Sequence, residues 1–315
     1  MINLKFARNF SQQILVCCLL CIAGCSSIIE SQKTQTGKSL VPKEIIEDFK
    51  RNYSPEEMSL INKDLRNIRE TYFLDKICPK TNPIYVATAG GPGACKSTVL
   101  ETYLHDKQNF VYVDSDQRTL KYMINTYYQS TTNYEISRQS SFCDVQRNAY
   151  TKWRDASNYI ANTILNEAFA KGYNIAHGIT STTSAIGSLY KKLKQKNYKI
   201  ILLLCYATDE TRVNADKHRN MIQGFVQATP EDIINKGKMF PERFPIYFQY
   251  ADEIHFYWTG NSLKGSILAA IYDKNQGIVI YNSKAMNHFI KQYDNDRKNL
   301  SNLPKFEEFL KYPAH

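Results

Sequence analysis

Ile84-Tyr85-Val86-Ala87-Thr88-Ala89-Gly90-Gly91-Pro92-Gly93-Ala94-Cys95-Lys96-Ser97-Thr98 decides how the rest of the chain is read. Ile84 to Thr88 is a short apolar, β-prone run, and the residues after Lys96 take up a helical pattern. Between them lies a glycine-rich loop with the spacing of a phosphate-binding P-loop, G-x-x-x-x-G-K-[ST]. Glycines let successive backbone N–H groups point inward, and the start of the following helix adds partial positive charge. Gly90 to Thr98 are therefore the expected nucleotide-binding residues, with Lys96 reaching the outer phosphates and Ser97 ligating Mg²⁺. Cys95 stands where the pattern has its last glycine. A side chain there either narrows the loop or accepts a positive φ, at a cost of about 1 kcal/mol or more. A glycine-rich turn with a chance Lys-Ser pair is the plain alternative.

Working outward, Phe110 to Val113, Tyr173 to Ala176, Ile200 to Tyr206 and Glu253 to Thr259 read as strands. Trp153 to Lys171, stopped by Gly172, and Ser184 to Lys196 read as helices. Ile200 to Tyr206 is almost continuously apolar, as strands buried on both faces of a parallel sheet are. Strands alternating with helices predict an α/β fold: a P-loop NTPase-like three-layer sandwich with a mainly parallel central sheet. Ser54-Pro55-Glu56-Glu57 marks a helix start, followed by Met58, Leu60, Ile61, Leu65 and Ile68 at helical spacing. Ile267 to Ile271 and Ile278 to Tyr281 flank a turn at 273–277 and predict a hairpin, with a helical tail from Phe306 to Tyr312.

The 315 residues carry 40 Lys and Arg against 30 Asp and Glu, a formal charge of +10. Mean hydropathy of −0.44 excludes a polytopic membrane protein. The basic balance suits an anionic ligand, nucleic acid or a membrane surface, and equally a solvated surface. No arginine-rich or aromatic-interleaved stretch favours nucleic acid. Of eight cysteines, Cys17, Cys18, Cys21 and Cys25 crowd the start, and no C-x-x-C pair occurs elsewhere, so a zinc site has little support. Lys5 and Arg8 precede an apolar run from Ile14 to Ala23, ten residues against the roughly 20 that a membrane-spanning helix needs. Ile22-Ala23-Gly24-Cys25 closes that run and resembles a bacterial lipobox. The expectation is a signal peptide at 1–24 and an exported lipoprotein, held to a membrane through a lipid on Cys25. A polar tether follows at 25–43, then a helical segment at 44–82, the catalytic domain at 83–260 and an extension at 261–315.

Asp114-Ser115-Asp116 closes the second strand, at the sheet edge where α/β proteins bind ligands. A kinase needs such a carboxylate to take the proton of the attacking hydroxyl; a helix cap is the structural alternative for either residue. Arg118 nearby suits a substrate phosphate or plain solvent.

The order of these features resembles the zeta toxin family of small-molecule kinases, from about Pro83 to Gly260. The loop Gly90 to Ser97 is similar to the family's G-x-P-G-[SA]-G-K-[ST], and Val113-Asp114-Ser115-Asp116 to its D-x-D. Ala228-Thr229-Pro230-Glu231-Asp232 and Tyr250 to Tyr257 resemble its last segment. The resemblance implies phosphoryl transfer from ATP with Mg²⁺ to the 3′-hydroxyl of UDP-N-acetylglucosamine, and an antitoxin-like protein partner. It implies that Asp116 is the base and that Lys96 and Arg219 stabilise the transferring phosphate. By position, Asp114, Arg118, His177 and Thr180 are the implied substrate contacts. Two departures stand out. His177-Gly178-Ile179-Thr180 replaces the family's Glu-Gly-Thr, and Gln227 replaces a basic residue before the late Thr-Pro. A catalytically degenerate nucleotide-binding module and a polynucleotide kinase are the competing readings.

Overall fold

The computed structural model describes residues 39–132, 142–223, 228–260, 265–298, 300 and 302–311. The signal, the lipobox, residues 25–38 of the tether, Gln227 and Tyr312 lie outside the described residues. Those described fall in one unit, Ser39–His315.

Helix α1 (Lys43–Asp48) leads to α2 (Pro55–Phe73). The start of α2 is fixed by a capping box: Ser54 Oγ accepts from Glu57 N at 3.2 Å, and Ser54 N donates to Glu57 Oε2 at 3.0 Å. Then come β1 (Ile84–Ala89), α3 (Lys96–Leu104), β2 (Val111–Val113), a wide π-helical turn at Ser115–Thr119, α4 (Tyr127–Thr132), α5 (Phe142–Lys171) and β3 (Ile175–His177). The chain continues through α6 (Ile186–Gln195), β4 (Lys199–Tyr206), α7 (Asp209–Gln223), α8 (Pro230–Lys238), α9 (Phe244–Tyr250) and β5 (Glu253–Trp258). It closes with β6 (Ile267–Asp273), β7 (Gly277–Ile280), α10 (Ser283–Arg297) and a short helix at Phe306–Phe309. α5 begins eleven residues before the expected Trp153. Its first turns bury Val145 and Ala149 among polar neighbours, too sparse a pattern to read as a stripe.

Among the described residues, seven strands form one sheet in the order β2-β3-β1-β4-β5-β6-β7. The first five are parallel; β6 and β7 add antiparallel at the edge. The central strand β1 pairs Val86 with Ala176 on one side and with Ile201 on the other. Side chains alternate across it. Tyr85, Ala87 and Ala89 enter the larger core with α2, α5, α6, α9 and α10, whereas Val86 joins a smaller core with Val99 and Leu100 of α3. Helices thus cover both faces, which explains the apolar run of β4, buried at every position after Lys199.

The boundary expected at 260 does not divide the molecule. β6 continues the same sheet, and Met286, Phe289 and Tyr293 of α10 are buried in the same core as Phe244 and Phe256.

Candidate active site

The loop after β1 wraps over the start of α3. Gly90 takes φ +149° and Gly93 φ +77°, and a side chain at either would run into backbone: Cys205 O at 2.3 Å from a Cβ on Gly90, Arg212 O at 2.3 Å from one on Gly93. Only glycine fits both places. Cys95 caps α3 in the left-handed region, φ 58° and ψ 25°, so it holds the conformation expected of the missing glycine. Burial pushes its thiol up, away from the thiolate, against the pull of Lys96. Lys96 Nζ donates to Gly91 O at 2.8 Å. Burial, reinforced by Arg219 and Arg212, holds this ammonium down at about 8 although Cys205 and Asp114 pull upward.

Asp114 and Asp116 divide their work. Asp114 is buried, and its Oδ1 accepts from the backbone N–H of Asp116 at 2.9 Å and of Gln117 at 2.7 Å. Burial pushes its carboxyl up, and those N–H groups oppose the shift. It caps the turn that presents Asp116. Asp116 is half-buried, and Arg154 of α5 grips it with Nε to Oδ1 at 2.8 Å and Nη2 to Oδ2 at 3.0 Å. Tyr150 Oη donates to the same Oδ1 at 3.4 Å.

A cavity of about 540 Å³ lies at the carboxyl ends of the strands. Pro92, Gly93, Lys96 and Ser97 of the loop line it, with Asp114, Asp116, Gly178, Thr180 and Arg219. Gly90, Gly91, Ala94 and Cys95 shape the loop without lining the cavity, and Thr98 is exposed outside it. Gly90 N donates to Thr180 O at 3.0 Å, tying the loop to the segment after β3. Arg219 pairs with Asp216 on its own helix, while its Nε is buried without a hydrogen-bond partner among the described residues. The lining also includes Tyr150, Arg154, Thr182, Thr183, Lys236 and Met239, none of them expected from sequence. With Arg154 paired to Asp116, Lys96, Arg219 and Lys236 against Asp114 leave the cavity a net positive lining suited to a polyphosphate.

Two expected substrate contacts are corrected. His177 faces the core: it is 9% exposed, its Nδ1 lies 2.7 Å from Tyr85 Oη, and burial pushes it down to about 4. Its place in the parallel register, opposite Ala87 and on the same sheet face as Tyr85, turns it away from the cavity. Arg118 sits over the rings of Tyr112, Tyr72 and Tyr122, at 4.8, 5.0 and 5.8 Å, an aromatic cage away from the cavity. Arg212, two turns before Arg219 on α7, is 4% exposed and bonds Asp209 and Ile233 O, the latter at 2.5 Å. It braces the back of the loop at Gly91 and Gly93, and a Cβ on Gly237 of α8 would collide with its guanidinium.

A P-loop on a 2-3-1-4-5 parallel core, facing a carboxylate at the end of β2, defines a kinase-type phosphotransferase. A family model described as zeta toxin matches residues 69–235, more than half of the chain, and the chain belongs to the zeta toxin family. A structure titled as the PezAT chromosomal toxin-antitoxin system of Streptococcus pneumoniae aligns with TM-score 0.49 and 16% identity, covering 79% of this chain and 97% of that one. The AvrRxo1-ORF1:-ORF2 structure with ATP aligns with TM-score 0.49 and 12% identity, covering 84% and 87%. No curated protein matches the chain.

Proposed function

We propose that the protein transfers the γ-phosphate of ATP to a hydroxyl of a sugar nucleotide such as UDP-N-acetylglucosamine. The observation that carries this reading is that Lys96 and Ser97 share one cavity with Asp116. Lys96, Arg219 and Lys236 hold and neutralise the polyphosphate. Asp116 accepts the proton of the acceptor hydroxyl as its oxygen bonds to the γ-phosphorus and the bond to the β-phosphate oxygen breaks, releasing ADP. Mg²⁺ fits a hydroxyl and one or two carboxylates completed by phosphate oxygens and water, so Ser97 would hold it, and there it supplies charge neutralisation of the phosphates. Positioning and electrostatics carry the reaction.

The test is mass analysis of a sugar-nucleotide panel incubated with ATP and Mg²⁺. The expected result is a gain of one phosphate on UDP-N-acetylglucosamine. Asp116→Ala should cut the rate of that gain about 1,000-fold while ATP–Mg²⁺ still raises the melting temperature. Full transfer by that variant would discard Asp116 as the base. A wild-type chain that binds ATP and phosphorylates nothing on the panel would be the binding module instead.

Two proposals about partners accompany this one. A lipid on Cys25 rests on residues 14–25 alone, and fatty-acid labelling lost in Cys25→Ser would support it. An antitoxin-like protein partner rests on family membership. Protection of Lys96 from amine labelling in a co-purified complex would support it.

A further inference from the structure

We infer that Arg154 is a positioning residue for the reaction, setting the direction of the Asp116 carboxylate. The inference rests on the phosphotransfer reading above. Asp116 is the second residue of the π-helical turn and is partly exposed, so a lone carboxylate there would sample several rotamers. α5 removes that freedom. Residues 150, 154 and 158 are four apart and share one helix face. On that face Arg154 reaches both oxygens of Asp116, at 2.8 and 3.0 Å, and Tyr150 reaches Oδ1. The remaining guanidinium nitrogen is fixed in turn: Nη1 donates to Asn158 Oδ1 at 2.9 Å. The next position toward the turn is held as well, because Ser157 Oγ donates to Ser115 O. Main chain and side chain of the 115–116 pair are thus both anchored to α5.

A planar fork suits this task where an ammonium does not, since two parallel N–H bonds fix the plane of a carboxylate as well as its position. With Oδ1 taken by Arg154 Nε and Tyr150 Oη, Oδ2 keeps a second lone pair, and Asp116 still lines the cavity that holds Lys96 and Ser97. Arg154 therefore acts through Asp116.

The test uses the full chain and three variants. Arg154→Met should lower kcat roughly 100-fold, the scale of a misplaced catalytic group, with KM for ATP unchanged within about twofold. Arg154→Lys should recover only part of the loss, and added guanidinium should restore activity to Arg154→Met. Adding Arg154→Met to Asp116→Ala should cost nothing more, because the two side chains work as one unit. A kcat for Arg154→Met close to wild type overturns the inference, as does a double variant whose losses multiply. If the wild-type chain phosphorylates no sugar nucleotide, the acceptor assignment falls and Arg154 is judged by crystallography. An Asp116 carboxylate turned out of the cavity in Arg154→Met upholds the role; an unmoved one overturns it.

Discussion

Two neighbouring residues in the loop set opposite demands on the same few ångströms. Cys95 carries a side chain at φ 58°, where a residue with a Cβ sits about 1–2 kcal/mol above glycine. Glycine loses more chain entropy on folding, which offsets part of the gain. Cys95→Gly should therefore stabilise the protein by about 0.5–1 kcal/mol, read as a higher urea midpoint at unchanged slope. Lys96 is the residue that pH should expose. In the free protein its charge is lost as pH rises through about 8, because burial disfavours the ammonium. A bound polyphosphate favours the charged form, so binding ATP above that pH must take up a proton. ATP affinity should fall between pH 7 and 9, approaching tenfold per unit at the upper end. Calorimetry in buffers of different ionisation heat should show proton uptake at pH 9 and almost none at pH 7. The loop is legible in sequence because its job is done by backbone, and glycine spacing reports backbone directly. Arg118 and His177 are not legible in this way: a charged or imidazole side chain near a strand end looks the same whether it enters the cavity or the core.

At the scale of elements, the parallel strands could be read because burial on both faces leaves continuous apolar runs, as in β4. Register could not, and register decides β3. His177 pairs with Ala87 and Val113, and it turns to the Tyr85 face while Gly178 turns to the cavity. The same register brings Gly178 against Asp114: a Cβ at 178 would lie 2.1 Å from Asp114 Oδ2 and 2.7 Å from its Cγ. Asp114 caps the turn that presents Asp116, so the glycine leaves room for the cap. Gly178→Ala should force Asp114 aside, lowering stability by about 1–3 kcal/mol in urea unfolding and lowering kcat more than KM for ATP. Unaltered turnover in that variant would show that the cap does not set the position of Asp116. Tyr150 and Arg154 lie outside what spacing reveals for a different reason. They meet Asp116 across 34 and 38 residues, and the signal they leave, polar residues at four-residue intervals on an otherwise amphipathic helix, also describes a solvated face.

For the whole molecule, the question is why a kinase core of five parallel strands carries two more strands and another long helix. The aromatic packing answers it. Phe244, from α9 between β4 and β5, lies 4.6 Å from Tyr293, 6.2 Å from Phe289 and 6.1 Å from Phe309, ring centre to ring centre. Phe256 of β5 meets Phe289 edge-on at 5.2 Å, and Tyr206, the last residue of β4, meets it at 5.1 Å. The helix after the hairpin therefore supplies the cover for one face of β4 and β5 that a shorter chain would leave wet. Sequence could place the hairpin and the helical tail separately, but not this shared cluster, since its members come from segments up to about 100 residues apart. If the extension were an independent module, damage within it would leave the core's unfolding untouched. Phe289→Ala removes a fully buried ring at the centre of the cluster, which costs about 3–5 kcal/mol in a packed core. The expected outcome is one cooperative urea transition, shifted down by that amount, with ATP-induced stabilisation disappearing at the same denaturant concentration as secondary structure. Two separate transitions, the later one retaining ATP binding, would mean that residues before 260 fold alone and that the cluster only decorates them.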